Sequence, residues 1–265
     1  MKDSTSLEQT VERYRQLGIE QQIDYRKYSL YSLITHSTAI EGSTITEREN
    51  QLLFDEGMSI PNRSLIEQLM NFDLKNAYVF CIEEAVLHHD ITVEWLCRTA
   101  AMVMKNTGSE YHTPLGDFSS ANGDLRLLNV SAGIGGKSYM AFNKVPDRLQ
   151  AFCDQLNLHR KQALQAQPSI QTLYNISFDA HFHLVTIHPW ADGNGRMARL
   201  LMNYLQFEFN LIPVRIPKEQ KLTYIDALVA TREKDDIEIF RSFMTRLHIS
   251  NVQQEIEEYI TSLKQ

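Results

Sequence analysis

His188-Pro189-Trp190-Ala191-Asp192-Gly193-Asn194-Gly195-Arg196-Met197-Ala198-Arg199 is the stretch on which the fold and its chemistry turn. It leaves an apolar segment, passes a base, an acid and a glycine-bracketed turn, and enters a helix carrying two arginines. Proline biases His188 away from helix, so the preceding helix ends there. A histidine near neutral pKa accepts a proton from a hydroxyl nucleophile. Asp192 suits a hard divalent cation such as Mg²⁺, usually held by few carboxylates and by phosphate oxygens. Gly193, Asn194 and Gly195 have little bulk, so their N–H groups approach an anion at the start of the next helix. Arg196 and Arg199 share one face of that helix, and the guanidinium fork matches phosphate oxygens. Asn203, one turn further on, is placed to meet a base or ribose. Leu200, Leu201, Tyr204 and Leu205 turn the helix towards the core.

Upstream the sequence is dominated by helical periodicity, with glycine and proline sparse. Amphipathic helices are expected at about Leu7 to Leu17 and Tyr25 to Ile40, the second burying Leu30, Leu33, Ile34 and Ile40. Gly42 sits where a helix commonly stops, and Thr46 with Glu49 resembles a capping box opening the next helix to about Asp55. Met58 to Arg63 is a connection, followed by helices at Ser64 to His88 and Thr92 to Lys105. No Ser/Gly-rich linker divides the chain, which predicts one compact unit: an N-terminal helical extension, residues 1–62, packed on residues 63–265.

Gly108 to Asn143 breaks the helical period, and a long loop with a small β-hairpin is expected there, Gly135-Gly136 at or near its turn. Helices resume at Pro146 to Leu158 and Ile170 to Thr186, then follow Gly193. Beyond Pro213 and Pro217 they fall at Leu222 to Arg232, Ile237 to His248 and Val252 to Leu263. The charge run Arg232-Glu233-Lys234-Asp235-Asp236 is expected to be a solvated loop.

The net charge of −7 on 265 residues argues against a chain whose main task is binding nucleic-acid backbone or anionic lipid. Cys81, Cys97 and Cys153 are few, odd in number and widely spaced, which fits a reducing compartment. The first residues are polar and no long apolar run follows, so a soluble cytoplasmic protein without a membrane span is expected.

The ordered string His-Pro-aromatic-x-Asp-Gly-Asn-Gly-Arg-x-x-Arg resembles the core motif of Fic-domain proteins, over about residues 88 to 250. The resemblance implies a mainly α fold, a helical bundle with a short β-hairpin flap beside the active site. Most members with Gly-Asn-Gly transfer AMP from ATP to a Ser, Thr or Tyr hydroxyl of a protein, or of themselves. Carried over, His188 is the general base, and Asp192 holds Mg²⁺ (or Mn²⁺) at the α- and β-phosphates. Gly193, Asn194 and Gly195 form the anion hole, Arg196 contacts phosphates, and Arg199 holds the γ-phosphate. Trp190 replaces a commoner Phe in a packing role, where it is expected to be tolerated; Met197 stands where a small polar residue is frequent, a change expected to bear on nucleotide fit.

Ser37-Thr38-Ala39-Ile40-Glu41-Gly42 resembles the family's inhibitory motif, in the class that carries it before the core. Ser37 and Glu41 share a helical face, and a carboxylate there can pair with Arg199 in the space the γ-phosphate needs. The flap, expected within Val130 to Phe142, would pair with a target's backbone as an added strand.

Other readings share the same residues. Transfer of another nucleotide, phosphocholine or phosphate, or removal of AMP, would use the same pocket, and a non-catalytic regulator would bind ATP or a protein partner and signal through the Glu41 helix. A zinc site built on His181, His183 and His188 is disfavoured, because His181 and His183 point to different helix faces. The C-terminal helices offer faces for a homodimer or another partner.

Overall fold

The computed structural model describes residues 6–132 and 137–264. The chain folds into helices α1 (Leu7–Gln16), α2 (Tyr25–Ile40), α3 (Glu47–Asp55), α4 (Leu65–Ala85), α5 (Val93–Met104), α6 (Val145–Ala166), α7 (Ile170–Ile187), α8 (Asn194–Glu208), α9 (Lys221–Lys234) and α10 (Ile237–Ser262). Strands β1 (Glu110–Thr113) and β2 (Gly116–Ser119) form an antiparallel pair between α5 and α6. Mainly α with a small hairpin is therefore the fold class. Among the described residues, no helix is long and apolar enough to cross a membrane.

Three helix starts are fixed by reciprocal capping boxes: Ser6 with Gln9, Thr46 with Glu49, and Ser64 with Glu67. α8 is the axis of the molecule. Its Leu200, Leu201, Tyr204 and Leu205 are all buried, packed with residues of α4, α5, α6 and α7 in one hydrophobic cluster. A second cluster joins α1, α7, α9 and α10. α2 donates Leu33 and Ile34 to the first cluster and Ile40 to the second, so the N-terminal helices are built into both cores.

Several expectations need correction. The regular ladder in the glycine-rich region lies at residues 110–119, turning at Pro114-Leu115, with Tyr111 stacked on Phe118 across it. The later segment pairs more sparsely: Ser131 bridges Ser138, Tyr139 N–H donates to Val130 O at 2.9 Å, and Ala132 N–H donates to Lys137 O at 3.1 Å. Gly135 and Gly136 lie outside the described residues.

α6 runs two turns beyond Leu158, because Arg160 and Ala163 are buried and Arg160 grips Glu208 of α8. The two helices expected after Ile237 are one. Asn251, which looks like a breaker, stays helical with its amide donating to Arg215 O at 2.8 Å. The charge run at 232–236 belongs largely to α9, which ends on a left-handed Asp235.

Candidate active site

The string from His188 to Arg199 forms the turn between α7 and α8. His188 caps α7 in the left-handed region (φ +54°), a conformation costly for a side chain with a Cβ. Its Nδ1 lies 3.3 Å from Val185 O, so Nδ1 donates and the lone pair sits on Nε2. Burial pushes its pKa down to about 4, with Arg126 and Arg232 adding to the effect and the Val185 carbonyl opposing it. The imidazole is therefore neutral at pH 7, as a proton acceptor must be. Tyr139 stacks on it at 3.8 Å between ring centroids.

Trp190 is core, its Nε1 donating to Gly123 O at 3.0 Å. Asn194 is a staple: its side chain bonds the Trp190 N–H and carbonyl at 3.1 and 2.8 Å, closing the turn. Gly193 takes φ +81° at the N-cap, and no side chain caps α8, so its first N–H groups stay open. Asp192 is mostly exposed, accepts from the Gly193 N–H at 2.6 Å, and lies 3.8 Å from Arg196.

Both arginines are buried. Arg196 reaches only Val103 O and Met104 Sδ with its terminal nitrogens, and its Nε has no partner among the described residues. A buried guanidinium so poorly satisfied is suited to an anion. Arg199 is fully engaged from α2: Nε donates to Ser37 Oγ at 2.9 Å, and Nη2 to Ser37 O at 3.0 Å and to Glu41 Oε1 at 2.5 Å. Burial alone would raise the Glu41 pKa, but Arg199, with Arg196 and Lys221 behind it, holds the carboxyl below its usual range. Gly42 follows with φ +108°. A Cβ added at Gly195 would come 2.6 Å from Glu41 Oε1, so the carboxylate sits directly over the turn that opens α8.

Asn203 and Met197 have neighbours that the motif alone does not reveal. Asn203 spends its amide in the core, accepting from Tyr78 Oη at 2.6 Å and donating to Gln206 and Val214 O. Met197 is packed in the first cluster. His181 is buried against Tyr224 and His183 is exposed, so the two point apart. Arg126 and Tyr139, which contact the His188 loop and ring, lack any sequence signal of their own.

Residues 90–206 match the model of the Fic/DOC family. That stretch is similar to a Fic domain. The match stops inside α8, short of the residue 250 that the motif resemblance implied. Over 239 residues the chain is 28% identical to protein adenylyltransferase fic-1 of Caenorhabditis briggsae, covering 89% of this chain and 42% of that protein. It is likewise 28% identical over 220 residues to protein adenylyltransferase Fic of Drosophila melanogaster, covering 79% of this chain and 39% of that one. The chain thus spans under half the length of these curated relatives. A Fic domain containing signaling protein from Bacteroides thetaiotaomicron superposes with a TM-score of 0.76 at 18% identity, covering 93% of this chain and 94% of that chain. At that identity the likeness establishes the fold.

Proposed function

We propose that this chain is a protein adenylyltransferase, moving AMP from ATP to a Ser, Thr or Tyr hydroxyl of a target protein, and that Glu41 holds it off. The carrying observation is the convergence, at one helix start, of a neutral His188, open backbone N–H groups and two buried arginines, one clamped by Glu41. The names of the curated relatives support the same chemistry.

In this reading His188 Nε2 takes the proton of the attacking hydroxyl. The hydroxyl oxygen bonds to the α-phosphorus, and the bond to the bridging oxygen breaks, releasing pyrophosphate. The N–H groups of Asn194 and Gly195, joined by that of Gly193 once it leaves Asp192 Oδ1, stabilise with Arg196 the charge that develops on the phosphoryl oxygens. Arg199 grips the γ-phosphate once freed from Glu41, setting the α-phosphate in line for attack. A lone, exposed carboxylate beside a phosphate site fits Mg²⁺, which keeps several waters and takes phosphate oxygens. Asp192 would hold that ion, which supplies charge neutralisation when bound. Asn203, one turn further along α8, would meet the base or ribose, with its amide held in place by Tyr78, Gln206 and Val214.

Residues 1–62 serve as the regulatory extension and 63–265 as the catalytic unit. The segment around 130–142 serves as the flap on which the target's backbone lies. Cytoplasmic location belongs to the same proposal and rests on the sparse, odd-numbered cysteines.

Incubation of Glu41→Gly with labelled ATP and a cell lysate tests the reading. Auto- or target modification should rise at least ~10-fold, equivalent to about 1.4 kcal/mol of barrier. No gain over the parent removes autoinhibition, and no transfer by either form removes the transferase.

A further inference from the structure

Arg126 is buried with no carboxylate paired to it among the described residues, and its guanidinium nitrogens are all spent on main-chain carbonyls. Nε donates to His188 O at 2.8 Å, Nη1 to Leu128 O at 2.7 Å and Nη2 to Met140 O at 2.5 Å. The Arg126 N–H donates to Pro189 O at 3.1 Å. Burying a cation is expensive, and an apolar side chain would fill the same space without that cost. What the guanidinium adds is direction, since its planar fork reaches three acceptors at once where an ammonium cannot.

The three carbonyls identify what is being joined. Leu128 enters the flap, Met140 leaves it, and His188 carries the imidazole. Tyr139, next to Met140, lies against the His188 ring with the planes 18° apart. Arg232 of α9 lies 5.5 Å from the Tyr139 ring centroid, and Lys137 pairs with Glu233 at 2.9 Å, so α9 also holds the flap.

We propose that Arg126 is a positioning residue for the base: it fastens both ends of the flap to the main chain of His188 and thereby sets Tyr139 against the imidazole. The described flap residues, 130–132 and 137–140, and the base then move as one body. A target strand laid on the flap brings its hydroxyl to a fixed distance from Nε2, where a misplacement of about 1 Å costs on the order of 10²-fold in rate. Arg126 itself touches no reacting atom.

The groups facing His188 are Val185 O from α7, Tyr139 from the flap, Arg126 ahead of it, Arg232 from α9, and Asp192 from its own loop. Loosening the flap admits water to the ring, and burial is the largest of the effects holding its pKa down. The kinetic part of this inference rests on the adenylyl-transfer reading; the structural part does not.

Arg126→Lys and Tyr139→Ala, each made in the Glu41→Gly chain, test it by three readouts. In Arg126→Lys the Ala132 and Tyr139 amides should exchange with deuterium at least ~10-fold faster as flap hydrogen bonds open more often. The His188 titration followed by NMR should move up from about 4 towards 6.5. With the KM for ATP within about twofold of the parent, kcat should fall on the order of 10²-fold. A folded Arg126→Lys with parental exchange and parental His188 titration overturns the proposal. Should Arg126→Lys not fold, Tyr139→Ala at a half-buried site decides: an unmoved His188 titration again overturns it. Absence of transfer in the Glu41→Gly parent would defeat the adenylyl-transfer reading alone, leaving exchange and titration to decide Arg126.

Discussion

His188 concentrates several constraints in one residue. It is held in the left-handed region, tethered at Nδ1 and kept neutral by burial. None of the arginines or open N–H groups at the α8 start depends on its imidazole. His188→Ala should therefore reduce AMP transfer by at least ~10³-fold while ATP affinity changes less than about threefold, measured by label transfer and calorimetry in the Glu41→Gly chain. Substantial transfer by His188→Ala removes it as the base. His188, Asp192, Gly193, Gly195, Arg196 and Arg199 were legible as a group because their chemistry lies in one short string. Arg126 was not, since its partners are main-chain carbonyls that every residue possesses. The partners of Asn203 were hidden for a related reason. One helical turn from Arg199 puts it near that face, but the sequence does not reveal that Tyr78, Gln206 and Val214 already occupy its amide.

At the scale of elements, α2 is buried nearly all round from Tyr31 onward, and its last turn is pinned by one amide. Asn71 of α4 accepts from Thr38 Oγ1 and Asn50 Nδ2, both at 2.9 Å, and donates to Ser43 Oγ at 3.2 Å and Glu67 O at 2.8 Å. These bonds hold the helix end that presents Glu41 to Arg199, yet Asn71 touches neither residue of the proposed machinery. Asn71→Ala should cost about 2–4 kcal/mol through unsatisfied partners and a small cavity, read by the urea midpoint. It should also raise transfer by the wild-type chain, roughly fivefold for each 1 kcal/mol taken from the closed arrangement. A destabilised Asn71→Ala that stays as inactive as the parent separates the network from the brake. Helix starts were legible where capping is local, as at Thr46 and Glu49. The unity of α10 was not, because a buried Asn251 bonded to Arg215 looks, in sequence, like a break.

Across the whole molecule, the shared cores of α1, α7, α9 and α10 enclose two histidines that the site does not use. His181 meets Tyr224 Oη and His248 meets Tyr174 Oη, each at 2.8 Å through Nε2, while both Nδ1 atoms lack a partner among the described residues. Tyr174 donates its proton to Ile212 O, so His248 must donate from Nε2, and its Nδ1 lone pair stays bare. Protonating that nitrogen would bury an N–H with no acceptor. Burial accordingly lowers both pKa values to about 3, with Arg199 adding to the effect at His181. The sign follows from linkage. Above pH 6.5 the folded and unfolded chains are both neutral at these sites; below it only the unfolded chain takes up the protons, so stability falls as pH falls. At pH 5 each histidine should withdraw about 2 kcal/mol, a large share of a typical folding free energy. Urea unfolding at pH 7.5 and pH 5 should thus show a loss of about 4 kcal/mol from this pair. In His248→Gln, whose amide can still donate to Tyr174 Oη, the loss between the two pH values should shrink by about 2 kcal/mol, whatever the substitution does to stability at neutral pH. An undiminished loss in that variant would mean that His248 does not resist protonation, and that the acid sensitivity of the fold lies in other groups.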